Sequence, residues 1–247
     1  MKKLTLLFSL LLLFSFTCKK RNITIFMIGD STMANKTTPT DHPMERGWGM
    51  MLHEFFTSDV SIENHAVNGR STKSFRDEGR WTIVFNKIKK GDYVFIQFGH
   101  NDEKPDTLLH TDPETSFKFN LARYINETRQ RGGIPVLFTS IARRTFNSDG
   151  TLRDTHRRYI GAALEVANEF HVTCIDLNSA TNKLLLSLGD EPSKALYMWI
   201  KSDSTNSEPR KDNTHLNVAG ARAVAQIAAD SISIKIPLLK KYLLNKK

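Results

Sequence analysis

Only two cysteines occur among the 247 residues, Cys18 and Cys174. Cys18 closes an N-terminal apolar run that reads as an export signal, so the chain beyond it has no partner for Cys174 and can form no internal disulfide. A packed core must therefore carry its stability alone. Several chemical signatures are also missing. No Gly-x-Ser-x-Gly elbow of the conventional α/β-hydrolases is present, and no nucleotide-binding glycine loop. His53-Glu54 has no second histidine at helical spacing, which excludes a zincin. There is no internal repeat and no low-complexity block. Acidic residues are in the minority, with 26 Asp and Glu against 35 Lys and Arg and a net charge of +9.

What is present begins with Met1-Lys2-Lys3 and the apolar run from Leu4 to Phe16, a charged start followed by a stretch too short to span a bilayer. Residues 1–18 are read as the export signal and 19–247 as one domain, which makes the protein periplasmic or cell-surface. Ser15-Phe16-Thr17-Cys18 resembles a lipobox, with Thr17 where Gly, Ala or Ser is usual. Lipid anchoring at Cys18 and simple signal cleavage both stand as readings. The balance stays basic after Lys2 and Lys3 leave with the signal, which favours an anionic partner. Export argues against nucleic acid and leaves a membrane surface or an acidic polysaccharide; surplus lysines that merely aid solubility are the plain alternative. Cys174, inside Val172-Thr173-Cys174-Ile175, is expected to be a small core residue without chemistry.

Short β-branched or aromatic runs alternate with helix-compatible segments, the pattern of βαβ units on a parallel sheet. The candidate strands are Ile23 to Ile28, Ser61 to Val67, Tyr93 to Phe98, Ile134 to Ser140 and Val172 to Leu177. Three of the five are near-continuous apolar runs, which imply strands covered on both faces. Helices are expected over Gly47 to Phe56, Thr82 to Lys89, Glu114 to Arg131, Asp154 to Phe170 and Val218 to Ser231, and an irregular loop over Gly189 to Lys211. The sum is an α/β fold, a three-layer α/β/α sandwich around a five-stranded parallel sheet. Ligands in such sheets sit beyond the carboxyl ends of the strands.

Chemistry is therefore sought just after each strand. Gly29-Asp30-Ser31 would present a serine in a tight turn, although a plain capped turn has the same sequence. Asn68-Gly69 is a turn whose glycine lets a backbone N–H approach a ligand. Gly99-His100-Asn101-Asp102 offers a side-chain amide as an oxyanion donor or, equally, a loop cap. Asp212-Asn213-Thr214-His215-Leu216-Asn217 places a carboxylate three residues before a histidine, which suits a general base held in one tautomer. The plain alternative has Asn217 capping the last helix and the other two at the surface. Each signal is weak alone. Together they set a nucleophile, oxyanion donors, a base and its orienter along one edge of one sheet.

In this combination the chain resembles the SGNH, or GDSL-type, hydrolases, which are named for a serine, glycine, asparagine and histidine in four blocks. Ser31, Gly69, Asn101 and His215 stand in that order, with Asp212 three before the histidine and Thr32 where the family name has leucine. Gly29-Asp30-Ser31-Thr32-Met33-Ala34, Gly69-Arg70-Ser71-Thr72 and Phe98-Gly99-His100-Asn101-Asp102 look like the rhamnogalacturonan acetylesterase branch. The resemblance implies a flavodoxin-like sandwich and an acetyl-serine mechanism that needs no metal or other cofactor. It assigns Ser31, Asp212 and His215 as catalytic and the Ser31, Gly69 and Asn101 donors as the oxyanion hole. The implied substrate is an acetylated, acidic plant polysaccharide, whose carboxylates Arg70, with Arg76 and Arg80 nearby, could face.

Three other readings compete. A lipid or short-chain acyl ester hydrolase would use the same triad with a long apolar pocket. A two-metal phosphoesterase would use Gly99-His100-Asn101-Asp102 and Asp154-Thr155-His156, in an order unlike the metallophosphatases. A non-catalytic polysaccharide-binding protein would stack sugars on Trp48, Trp81 or Trp199, the first two of which are expected in the core.

Overall fold

The computed structural model describes residues 22–36, 44–200 and 209–244. The export-signal and lipobox readings at residues 1–18 lie outside the described residues. Eight strands are described: β1 (Ile23–Gly29), β2 (Glu45–Arg46), β3 (Val60–Asn64), β4 (Tyr93–Gln97), β5 (Ile134–Phe138), β6 (Thr173–Ile175), β7 (Tyr197–Ile200) and β8 (Arg210–Asn217). Five of them form a parallel sheet in the order β3-β1-β4-β5-β6. Counted within that sheet the order is 2-1-3-4-5, the flavodoxin-like arrangement.

The period-two geometry of strands divides the core in two. Ile25, Met27, Phe95, Val136, Phe138 and Ile175 face one side, where Trp48, Leu52 and the Ala221, Val224, Ala225 and Ala228 stripe of helix Val218–Lys235 cover them. Phe26, Ile28, Val94, Ile96 and Leu137 face the other side. There they meet Phe75 and Trp81, Leu121 and Tyr124 of helix Ser116–Gln130, and Val166 of helix Arg158–Glu169. Both faces are dry, so the strands need no polar alternation. Trp48 and Trp81 are core residues. Cys174 is half-buried beside the second cluster, and burial pushes its thiol up to about 12, far from thiolate chemistry.

The main correction concerns the segment read as a loop before the last motif. Residues 190–200 form a helical turn, a 3₁₀ turn and β7, and Arg210–Lys211 open β8. β2, β8 and β7 build a second, antiparallel sheet. Asp212 and His215 thus lie on a strand and not in a loop. The polar, lysine-rich composition hid it, because only Leu216 of β8 is buried and the hydrophobic pattern of a strand is absent. Asn217 does cap helix Val218–Lys235, accepting from Gly220 N at 3.0 Å.

Candidate active site

β1 delivers the serine. At Gly29 a Cβ would stand 2.6 Å from the Gln97 carbonyl oxygen, so only glycine lets β1 run this close to β4 as it ends. The chain then folds over itself, with Met33 N and Ala34 N donating to Asp30 O, and Ser31 emerges 9% exposed. Thr32 locks this turn. Its hydroxyl donates to Asp30 Oδ1 at 2.8 Å and accepts from Gln97 Nε2 at 2.7 Å, and its amide donates to the same Oδ1 at 2.9 Å. A leucine at this position could make neither side-chain bond.

Residues three apart in a regular strand point to opposite faces. Asp212 and His215 nevertheless meet, because β8 leaves the ladder between them: Trp199 pairs with Lys211 and Tyr197 with Leu216, two steps on β7 against five on β8. The Asp212 carboxylate organises the bulge itself, its Oδ1 accepting from Thr214 N at 2.7 Å and His215 N at 2.9 Å. Its Oδ2 lies 2.8 Å from His215 Nδ1, and His215 Nε2 lies 3.0 Å from Ser31 Oγ. Burial alone would raise the Asp212 carboxyl; its bonds from the His215 ring and from the His215 and Thr214 amides outweigh that and hold it well below the usual carboxylate range. An ionised Asp212 accepts a hydrogen bond from Nδ1–H and so keeps the ring proton there, which leaves Nε2 free to accept from Ser31 Oγ.

Two further loops carry the residues named from the sequence as oxyanion donors. Gly69 has φ +75°, a left-handed conformation that glycine adopts without strain. Asn101, nearly buried, donates one amide hydrogen to Arg70 O at 3.1 Å, which fixes the group and leaves its second hydrogen available. Beneath it, Asp102 accepts from Thr72 N at 3.0 Å, from the Thr72 hydroxyl at 2.5 Å and from Thr111 Oγ1 at 2.9 Å, tying the Asn101 loop to the start of helix Thr72–Asp77.

Three groups unread in the sequence, Arg210, Glu45 and Lys36, buttress the triad. Arg210 Nη2 donates to Asp212 Oδ2 at 2.6 Å and its Nη1 to Glu45 Oε2 at 2.8 Å. Glu45 Oε1 is 2.9 Å from Lys36 Nζ, which also donates to Asn68 Oδ1 at 2.5 Å. Charge alternates along Lys36, Glu45, Arg210 and Asp212, so a line of contacts runs from the Gly69 turn to the triad. Lone charged residues carry no spacing signal, and Glu45 and Arg210, 165 positions apart in the chain, meet only in the folded structure.

The arginines noted in the sequence are held by acids. Arg70 donates to Glu78 Oε2 and to Asn68 O, both at 2.9 Å, with its side chain about one-third exposed. Arg80 joins the same Glu78 at 2.5 Å, and Arg76 pairs with Glu127 at 2.8 Å over the Tyr124 ring. Arg76 therefore braces two helices. Trp199 is enclosed by Arg144 and Lys194, 4.8 and 4.3 Å from its ring centre, and donates to Asn213. Among the described residues no three His, Cys, Asp or Glu side chains are gathered to hold a metal ion.

A serine at the end of the first strand of a flavodoxin-like sheet, with a histidine and aspartate on a late strand, defines a class of serine ester hydrolases. The chain belongs to the GDSL-like lipase/acylhydrolase family, whose pattern it matches over residues 27–223. It is 37% identical over 222 residues to rhamnogalacturonan acetylesterase RhgT of Bacillus subtilis, covering 89% of this chain and 94% of that one. A rhamnogalacturonan acetylesterase of Emericella nidulans is 30% identical, with 82% of this chain and 81% of the relative covered. Among solved structures, Bacillus subtilis protein YxiM superposes with a TM-score of 0.74 at 31% identity, over 86% of this chain and 56% of that one.

Proposed function

We propose that this protein removes acetyl groups from an acidic plant polysaccharide, pectic rhamnogalacturonan, through an acetyl-serine intermediate. The observation that carries the reading is the unbroken Ser31–His215–Asp212 contact, at 3.0 and 2.8 Å. His215 takes the Ser31 proton as Oγ attacks the acetyl carbonyl, and Asp212 steadies the imidazolium. The backbone N–H groups of Ser31 and Gly69 and the Asn101 amide receive the oxyanion. The sugar alcohol leaves with the proton from His215, and water, deprotonated by the same ring, then releases acetate.

Support for a sugar substrate comes from the relatives, two of which are rhamnogalacturonan acetylesterases matched over most of this chain. Arg70, beside Gly69, is the residue assigned to a substrate carboxylate. We further place the protein outside the cytoplasm, exported through residues 1–18 as a single hydrolase domain and lipid-anchored or released at Cys18.

The test is acetate release from acetylated rhamnogalacturonan, acetylated xylan and acetylated homogalacturonan, with wild type and Ser31→Ala side by side. Rhamnogalacturonan is expected to be the best substrate and the variant inactive with its fold intact. Retained turnover by Ser31→Ala would overturn the nucleophile, and a preference for another polymer would overturn the substrate.

A further inference from the structure

Beneath the serine lies a pair of titratable groups that the mechanism above does not use. Asp30 and His100 are 0% and 3% exposed, and Asp30 Oδ2 is 3.3 Å from His100 Nδ1. The other Asp30 oxygen accepts from both Thr32 donors, while Oδ2 makes no hydrogen bond of normal geometry and has the His100 ring nitrogen beside it. Burial holds His100 down at about 4, and Asp30 is held down at about 2, where burial is outweighed by His100 and Thr32. At neutral pH the pair is a neutral imidazole against a carboxylate. The far edge of the His100 ring is packed on His156, with ring centres 4.5 Å apart at 79°. His156 in turn is anchored by Ile141 O at 3.0 Å and faces Glu103, which Arg143 holds at 2.5 Å. His100 thus cannot retreat from Asp30 without displacing a packed column.

Sequence adjacency gives this pair its consequence. Asp30 directly precedes Ser31, and His100 directly precedes Asn101. One buried contact therefore joins the turn that carries the nucleophile to the loop that carries the side-chain oxyanion donor. We propose that His100 is a positioning residue for ester hydrolysis, its ring bracing Asp30 so that Ser31 Oγ and the Asn101 amide keep the separation an acyl transition state requires. With the ring nitrogen removed, the buried Oδ2 loses the polar contact beside it and must find a donor or admit water, and either moves the turn. The inference rests on the reading of Ser31 as nucleophile.

The test compares kcat and KM on 4-nitrophenyl acetate, a substrate too small to report on polysaccharide contacts, for wild type, Ser31→Ala, His100→Phe, His100→Leu and His100→Asn. Phenylalanine keeps the ring without the donor, leucine is a smaller apolar replacement, and asparagine sets an amide nitrogen near the position of Nδ1. Native near-UV circular dichroism is required of each variant scored. Phenylalanine and leucine are expected to lower kcat ~10- to ~100-fold with KM within about twofold of wild type, and asparagine to restore most of the loss. If neither apolar variant folds, asparagine decides alone: turnover near wild type supports the brace and a large kcat loss overturns it. Wild-type kcat in a folded apolar variant, or a loss confined to KM, also overturns it. Activity surviving in Ser31→Ala would instead remove the nucleophile assignment on which the inference stands.

Discussion

Glu45→Gln is the most demanding test of the buttress behind the triad. Glu45 and Lys36 have side chains 11% and 5% exposed, and Glu45 sits between Lys36 at 2.9 Å and Arg210 at 2.8 Å. Burial pulls the Lys36 amine down and only Glu45 opposes it at contact range; the Glu45 carboxyl, raised by burial, is brought below its ordinary value by Lys36 and Arg210. At an effective dielectric of ~20, a unit charge pair about 4 Å apart is worth ~4 kcal/mol, and Glu45 makes two such contacts. Neutralising it recovers part of its own desolvation but leaves buried Lys36 with only the more distant Asp30 carboxylate opposing its desolvation, close to the situation that typically costs ~3–5 kcal/mol. In a domain of this size that is a fall in Tm of roughly 6–20 °C. Urea and thermal unfolding of Glu45→Gln, Lys36→Met and the double variant form the assay. The double variant is expected to be more stable than the summed losses imply, because it leaves no orphan charge near position 36. A single-variant loss below about 1 kcal/mol, or strict additivity, would refute the idea that this chain is electrostatically coupled.

Asn101→Ala removes the side-chain donor proposed for the oxyanion and should lower kcat by ~10²- to ~10³-fold on nitrophenyl acetate with little change in KM; a loss confined to KM would contradict the role. Asp102 supplies a pH prediction. Burial raises its carboxyl to about 7 against the pull of the Thr72 and Thr111 donors. A raised carboxyl holds a proton in the folded state that the unfolded chain has already released, so its contribution is full below the ordinary carboxylate range and is lost as pH climbs through about 7. Asp102→Asn should therefore gain on wild type in urea midpoint between about pH 4 and pH 7, and a trend of the opposite sign would show the four donor contacts outweighing burial.

The parallel sheet was legible in the chain because its central strands β1, β4 and β5 are apolar runs covered on both sides, a pattern that needs no knowledge of neighbours, while the edge strands β3 and β6 are partly polar or short. Ser31, Gly69, Asn101, Asp212 and His215 were legible because each stands at a strand end or in a dense polar motif. The second sheet was not. β8 is polar along most of its length, and its strand character comes from pairing with β2 and β7, contacts remote in the chain. Lys36, Glu45 and Arg210 were hidden for the same reason, since an isolated charged residue looks like solvated surface until a partner is placed beside it.

What the sequence determined by itself was the parallel sheet, which of its edges is chemical, and the types of group that gather there, because local hydrophobic patterning and turn chemistry depend on near neighbours alone. Tertiary structure decided the rest: that Asp212 and His215 meet on a bulged strand, that a line of alternating charges stands behind them, and that Asp30 and His100 clasp beneath the serine. Those outcomes depend on distances between residues up to 184 positions apart, as for Ser31 and His215, and only the folded chain sets such distances.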